Sequence, residues 1–148
     1  MPQITVTQMV DAPADAVWRE LADIAGHVDW MADAASIRFV GDQRAGVGTR
    51  FECVTRLGPL RTTDRMEVTA WHEGTEIAVR HAGLVQGEGR FTIRPPAPSD
   101  PDGETEVVWS ERLTFPWYLG GPVTAVLLTP VLRLVWQGNL RRFADLVD

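Results

Sequence analysis

Cysteine is nearly absent from this chain, and basic residues are in the minority. The single cysteine, Cys53, excludes an internal disulfide and any metal site built from a cluster of cysteines. The chain has 14 basic and 20 acidic residues, and the net charge of −6 argues against a general nucleic-acid-binding protein. The N-terminal stretch MPQITVTQMVDAPADAV lacks the basic and apolar segments of a signal peptide. We therefore predict a cytoplasmic protein that binds no nucleic acid.

Charged residues are missing altogether between Leu113 and Leu132. An uncharged run of about 18 or more residues is typical of a membrane-spanning helix. Here, however, three prolines and the Gly120-Gly121 pair interrupt the run. A membrane span would also leave the sheet predicted below without a helix to cover it. We therefore predict a core helix and not an integral membrane protein.

The C-terminal helix combines two different apolar surfaces. Its second half carries a stripe with the spacing of one helix face: Leu132, Trp136, Leu140, Phe143 and Val147. The part from Val123 to Val135 is apolar on nearly every side, so one sheet cannot cover all of it. We expect the remainder to be buried against the first two helices. The alternative is an exposed patch that contacts a second copy of the chain, as in a homodimer, or a membrane surface.

The rest of the chain predicts short helices followed by many strands. A β-branched, threonine-rich strand spans Gln3–Val10, and Pro13 suits the first position of a helix. The stretch GHVDWMADA predicts a second, short helix after Gly26. From Ile37 to Leu113 the residues alternate with period two between the turn sequences LGPL, WHEG and PPAPSDPDG. Together these elements predict one α+β domain over residues 1–148.

Tight LGPL and WHEG turns would fix how the strands face each other. They predict one inward-facing polar row in which each residue opposes the next: Cys53, Asp64, His81, Gly87 and Glu111. On the outward face the same register forms three oppositely charged pairs: Glu52–Arg65, Arg50–Glu67 and Arg80–Glu88. It also places Arg65 beside Arg80, which is unfavourable.

One N-terminal stretch, APADAVWRELADIAGHVDWM, resembles the opening signature of the START-like (SRPBCC) superfamily. The matching positions are Pro13, Val17-Trp18, Asp23 and Trp30. The stretches GVGTRF, MEVTAWHEG and GETEVVWS are similar as well, and the chain looks most like the bacterial polyketide cyclase/dehydrase-like branch. The resemblance implies a helix-grip fold in the order β-α-α-β6-α, with a curved antiparallel sheet around a long C-terminal helix and a cavity between them. It carries over no catalytic motif, because the superfamily shares none, and it implies nothing specific about function.

A cavity between the sheet and the C-terminal helix would be lined by inward-facing residues. We predict ligand contacts from Cys53, Asp64, Met66, Val79, His81, Gly87, Phe91, Trp109, Glu111, Leu132 and Trp136. Trp117 and Tyr118 are further candidates for the cavity or its entrance. The three histidines lack metal-ligand spacing, so we expect no metal and no cofactor.

Three of these residues, Asp64, His81 and Glu111, are candidate catalytic residues. Two acidic groups around a histidine suit proton transfer. A polar network that only orients the ligand is the interpretation we favour over catalysis.

These observations lead to three hypotheses about function. The first is binding of a small hydrophobic ligand, which is aromatic, polyketide-like or a lipid. The second is an enzyme, a polyketide cyclase, aromatase or dehydratase, that uses the inward polar residues. The third is an interaction module that contacts a partner or a membrane surface through the apolar C-terminal helix.

Overall fold

The computed structural model of this chain describes residues 3–83 and 86–147. Within these residues the chain forms seven strands, two α-helices and two short 3-10 helices. The strands are β1 (Gln3–Val10), β2 (Ala34–Val40), β3 (Arg50–Leu57), β4 (Leu60–His72), β5 (Glu76–Ala82), β6 (Gln86–Arg94) and β7 (Thr105–Thr114). The α-helices are α1 (Ala14–Ala22) and α2 (Gly121–Val147), and the 3-10 helices span Ile24–Asp29 and Trp117–Leu119.

The strands form one antiparallel sheet in the order β1-β7-β6-β5-β4-β3-β2. Alternation along each strand decides which residues point inward: in β7, Val107, Trp109 and Leu113 are buried while Arg112 is exposed. The apolar face of the curved sheet packs against α2. The α+β helix-grip fold predicted from the sequence is therefore confirmed.

The second predicted helix is shorter and begins earlier than expected. A 3-10 helix spans Ile24–Asp29, and the Asp23 side chain caps it by accepting a hydrogen bond from the Gly26 amide at 3.3 Å. Because this helix ends at Asp29, the chain is free to begin β2 at Ala34, three residues before the predicted strand.

The second half of α2 is the core helix that the sequence predicts. Trp136, Leu140 and Phe143 are buried, and Leu132 and Val147 pack partly buried against them. Phe143 also packs against Trp30, with ring centroids 5.0 Å apart. By length and composition α2 would suit a membrane span, but core helices of soluble proteins meet the same test.

One side of the first half of α2 is exposed, so the expectation that the first two helices bury it is wrong. The large apolar side chains exposed in this half are Val123, Val126, Leu127, Val131 and Leu134. The chain between the first 3-10 helix and β2 instead meets α2 at Asn139 and Arg142, in its second half. Trp117 and Tyr118, just before α2, are exposed as well. We call these seven residues the apolar patch.

The register agrees with the prediction on one side of β4 and differs on the other. Cys53 opposes Asp64, and the outer pairs Glu52–Arg65 and Arg50–Glu67 form as predicted. Between β4 and β5, however, His81 opposes Met66 and not Asp64. The loop after His72 is longer than assumed, since His72 pairs with Glu76, and this shifts the register by three residues. A bulge in β4 between Val68 and Ala70 offsets one of the three.

This difference relieves the one unfavourable pair of the predicted register. Arg80 lies opposite Glu67 and not beside Arg65, and Arg80 Nη2 donates to Glu67 Oε2 at 2.7 Å. The pairs His81–Gly87 and Arg80–Glu88 form as predicted.

A second difference lies between β6 and β7. Glu111 opposes Gly89, whereas the prediction placed it opposite Gly87. The long connection between these strands is not a tight turn, so it could not fix their register. At His81 and at Glu111 both errors amount to a shift of two residues, which leaves the side chains of Asp64, His81 and Glu111 on their predicted face.

Candidate functional site

A cavity of about 160 Å³ lies between the concave face of the sheet and α2. Its walls are mostly apolar. Ten of the eleven residues predicted to contact a ligand line it: Cys53, Asp64, Met66, Val79, His81, Phe91, Trp109, Glu111, Leu132 and Trp136. Gly87 does not line the cavity, because the backbone of Arg112 lies against it. Trp117 and Tyr118, the further candidates for the cavity or its entrance, are exposed in the apolar patch.

Thirteen further residues line the cavity: Ile24, His27, Met31, Asp33, Ala34, Ile37, Phe51, Thr55, Thr62, Ile77, Leu113, Phe115 and Leu128. Those on the strands β3, β4, β5 and β7 follow from alternation, since each lies an even number of residues from a predicted one. The residues between Ile24 and Ala34 were not predicted, because they precede the strands that supply the inward-facing row and lie outside the apolar stripe of α2.

Glu111, on β7, is the central residue of the small polar group in the cavity wall. Its Oε1 accepts a hydrogen bond from Trp109 Nε1 at 3.1 Å, and its Oε2 lies 3.3 Å from His81 Nε2. The side chains of Glu111 and His81 are both largely buried. Geometry favours an ion pair over a well-aligned hydrogen bond, since His81 Nε2 makes no hydrogen bond within the described part of the chain. His81 and Glu111 are therefore in direct contact, whereas the predicted row separated them by Gly87.

Gly89 provides the space for this pair. A methyl group on Gly89 would lie 2.6 Å from Glu111 Oε1 and 3.3 Å from His81 Nε2. Its backbone is ordinary extended strand, so the space and not the conformation requires glycine. Gly89 thus leaves an open position on β6, and the acid–histidine pair fills it.

We expect Gly89→Ala to displace the Glu111 carboxylate and to lower the free energy of unfolding by about 1–3 kcal/mol, the usual cost of overpacking. The pKa of His81, measured by NMR titration, should fall because Glu111 moves away. Gly138→Ala in α2 is the matched control, since a methyl group there meets only the Arg142 guanidinium at 3.7 Å or more. An unchanged His81 pKa in Gly89→Ala would contradict the arrangement.

Asp64 lies apart from this pair, and the predicted cross-strand pairing of Asp64 with His81 is wrong, since His81 opposes Met66. The Asp64 side chain extends toward Gly83, where a methyl group would lie 2.8 Å from Asp64 Oδ1. Asp64 is 7% exposed. Among residues 3–83 and 86–147, its Oδ1 has no hydrogen-bond partner.

Charges in the cavity wall shift the pKa values of His81 and Asp64. Burial lowers the pKa of His81, but the negative charges of Glu111 and Asp64 outweigh it, so the pKa lies above its ordinary value. Burial raises the pKa of Asp64, and Glu111 raises it too, while His81 and the nearby Thr55 hydroxyl act in the opposite direction. Glu111, whose Oε2 lies 3.3 Å from His81 Nε2, raises the pKa of His81 more than Asp64 does.

Cys53 and His27 contribute less reactive groups to the cavity. Burial raises the pKa of the Cys53 thiol to about 11, so it is protonated at neutral pH. Burial lowers the pKa of His27 to about 4, and its Nε2 lies 2.7 Å from the Leu21 carbonyl oxygen, to which the neutral ring donates. Within the described residues, no group of three or more side chains is arranged to hold a metal ion.

Several solved structures share this fold. The protein TTHA0849 from Thermus thermophilus is 18% identical, with a TM-score of 0.79 over 99% of this chain and 97% of that one. The Zhui aromatase/cyclase from Streptomyces sp. R1128 is 18% identical, with a TM-score of 0.78 over 99% and 93%. A protein from Thermobifida fusca is also 18% identical, with a TM-score of 0.74 over 99% and 93%. At such identities the likeness establishes the fold alone.

The amino-acid sequence gives a more specific relationship. No curated protein matches it significantly. The family described as polyketide cyclase / dehydrase and lipid transport matches residues 1–148. The chain therefore belongs to the polyketide cyclase / dehydrase and lipid transport family, which confirms the branch that its sequence resembles.

Proposed function

We propose that this protein binds a small, mainly apolar ligand in the cavity between the sheet and α2. The observation that carries the proposal is the cavity itself, about 160 Å³ in volume and walled mainly by apolar side chains. A cavity of about 150 Å³ with apolar walls accepts benzene. The present cavity therefore has room for about one aromatic ring. A fused polycycle or a lipid chain would fit only if α2 moved away from the sheet.

The family supports the same class of ligand. Its description names polyketide cyclases, dehydrases and lipid transport, and the similar Zhui protein is an aromatase/cyclase. Aromatic and lipid-like molecules are both apolar with few polar groups, which suits walls with a small number of placed polar side chains.

The proposal is tested by ligand-dependent stability. We expect toluene to raise the melting temperature of the protein, because a ligand that binds only the folded state stabilises it. Val79→Phe should abolish this shift, since Val79 lines the cavity and the larger ring fills it. Val47→Phe is the matched control on the surface, where Val47 is 60% exposed, and should keep the shift. An equal shift in both variants, or none in the unmodified protein, would exclude binding in this cavity.

Native mass spectrometry of the purified protein then identifies the natural ligand through its co-purifying small molecules. The same experiment addresses the enzyme hypothesis, which the His81–Glu111 pair favours. A buried imidazole and carboxylate 3.3 Å apart beside an apolar ligand would suit proton transfer, as in enolisation or dehydration. An enzyme would convert the identified molecule over time, whereas a binding protein would release it unchanged.

The exposed apolar patch supports the third hypothesis, contact with a second copy or a membrane surface through residues 123–135. The patch includes Leu127 and Leu134, which are 71% and 76% exposed. Exposed apolar surfaces of this kind are typical of interaction sites. Five of the seven patch residues lie on α2, the helix that contributes Leu128 and Leu132 to the cavity wall. A contact there would therefore act on the helix that closes the ligand site.

A further inference from the structure

Asp64 is a cavity-lining side chain whose role the proposed ligand binding does not by itself explain. A carboxylate oxygen buried without a donor costs about 1–3 kcal/mol or more. Asp64 is only 7% exposed, lines the cavity, and has no partner for Oδ1 in the described ranges. Its position on the sheet therefore suits a ligand that brings a hydrogen-bond donor.

The other acidic and imidazole groups of the cavity are already engaged. Glu111 accepts from Trp109 and pairs with His81. Asp33 Oδ1 accepts from Asn139 Nδ2 at 2.8 Å. The His27 ring faces the Leu21 carbonyl. Asp64 Oδ1 is thus the buried carboxylate oxygen of the wall that finds no donor among the described residues.

The charge of the wall points to the same ligand chemistry. Three carboxylates line the cavity, those of Asp33, Asp64 and Glu111. Among the described residues that line it, none is an arginine or a lysine, and the imidazole of His81 is paired with Glu111. A ligand carboxylate would therefore meet like charges and no free cation in this part of the chain, which is strongly unfavourable in a buried site.

The neighbouring residues provide a place for an apolar ring. Cys53 opposes Asp64, and the next inward-facing pair along the same two strands is Phe51 with Met66. Both Phe51 and Met66 line the cavity. A ring that packs against Phe51 and Met66 would place a polar substituent near Asp64, because Asp64 lies two residues from Met66 along β4 on the same face.

We propose that the Asp64 carboxylate receives a hydroxyl or protonated amine of the ligand, so that the cavity selects ring-bearing alcohols or amines and rejects carboxylic acids. This inference rests on the proposed ligand-binding function, and it adds the chemical class of the ligand. Hydroxyl and ammonium groups share the donor chemistry, and the experiment distinguishes them.

The test compares four probes of similar size by titration calorimetry: toluene, p-cresol, benzylamine and benzoate. We expect at least one of the two donors to bind about tenfold more tightly than toluene, since a hydrogen bond to a charged group contributes about 1.5–3 kcal/mol. Preference for p-cresol identifies a hydroxyl, and preference for benzylamine identifies an amine. Benzoate should bind more weakly than toluene.

Asp64→Asn should reduce the donor advantage to about threefold or less while leaving the affinity for toluene unchanged. Glu52→Gln is the matched control, because it removes one negative charge from the outward face of the neighbouring strand and should keep the donor advantage. If toluene binds but neither donor binds more tightly, or if benzoate binds best, the inference about Asp64 is overturned while ligand binding stands. If none of the four probes binds, the proposed function itself is wrong and this inference falls with it. The four-probe series on the unmodified protein distinguishes these outcomes even where a variant does not fold.

Discussion

Replacing Trp136 with alanine is expected to lower the free energy of unfolding by about 3–5 kcal/mol, the usual loss for a buried tryptophan. Trp136 is 5% exposed and stacks on Trp109, with ring centroids 5.2 Å apart. It also forms part of the cavity wall, so its loss would join new empty space to the cavity. Urea denaturation followed by circular dichroism measures the change.

Trp117→Ala is the matched control for this substitution. Trp117 is 87% exposed, so the same change of residue should alter the free energy of unfolding by only about 0.5 kcal/mol or less. Similar losses for the two variants would mean that Trp136 does not lie in the core, and that the apolar stripe of α2 faces elsewhere.

The second large effect is expected for Asn139→Ala. Asn139 is fully buried, and its side chain joins α2 to the segment before β2. Its Oδ1 accepts from the Ala32 amide at 3.0 Å and from Arg142, and its Nδ2 donates to Asp33 at 2.8 Å. Alanine would leave the Ala32 amide and the Asp33 carboxylate without these partners. We expect a loss of about 2–4 kcal/mol in the free energy of unfolding, since each buried polar group left without a hydrogen-bond partner costs about 1–3 kcal/mol.

Gln137→Ala, two residues away on α2, is the corresponding control. Its Nε2 donates to the Thr7 carbonyl at 2.9 Å in an exposed position, where water replaces a lost partner. A change of about 1 kcal/mol or less is expected there. If thermal denaturation showed Asn139→Ala to be no more destabilising than Gln137→Ala, the link between α2 and the segment before β2 would not contribute to stability.

The fold could be predicted because its signals are local and repeated. Alternation along each strand distinguishes the inward from the outward side chains of the sheet. The apolar stripe from Leu132 to Val147 identifies the face of α2 that packs against the sheet. The register of β3 with β4 followed from one tight turn. The bulge near Val68 and the long connection before β7 leave no comparable signal, because they depend on contacts between strands.

The lining of the cavity was predicted better than the contacts within it. Shifts of two residues keep each side chain on its face, so Asp64, His81 and Glu111 all point inward although their neighbours changed. Gly83 and Gly89 leave space for the carboxylates of Asp64 and Glu111. Which carboxylate lies next to each glycine depends on the register, so a register error prevents this prediction. The first half of α2 was misjudged because a helix that is apolar on every side does not indicate which side is covered.

The only cysteine of the chain lies in the cavity wall, and this makes Cys53 a natural reporter of access to the ligand site. Its thiol is buried and protonated, so a reagent must wait for the wall to open before it reacts. The rate of labelling therefore measures how often the cavity opens, and a bound ligand slows it in proportion to occupancy. Since no other thiol competes, the kinetics of ligand entry can be followed on the native protein without an engineered probe.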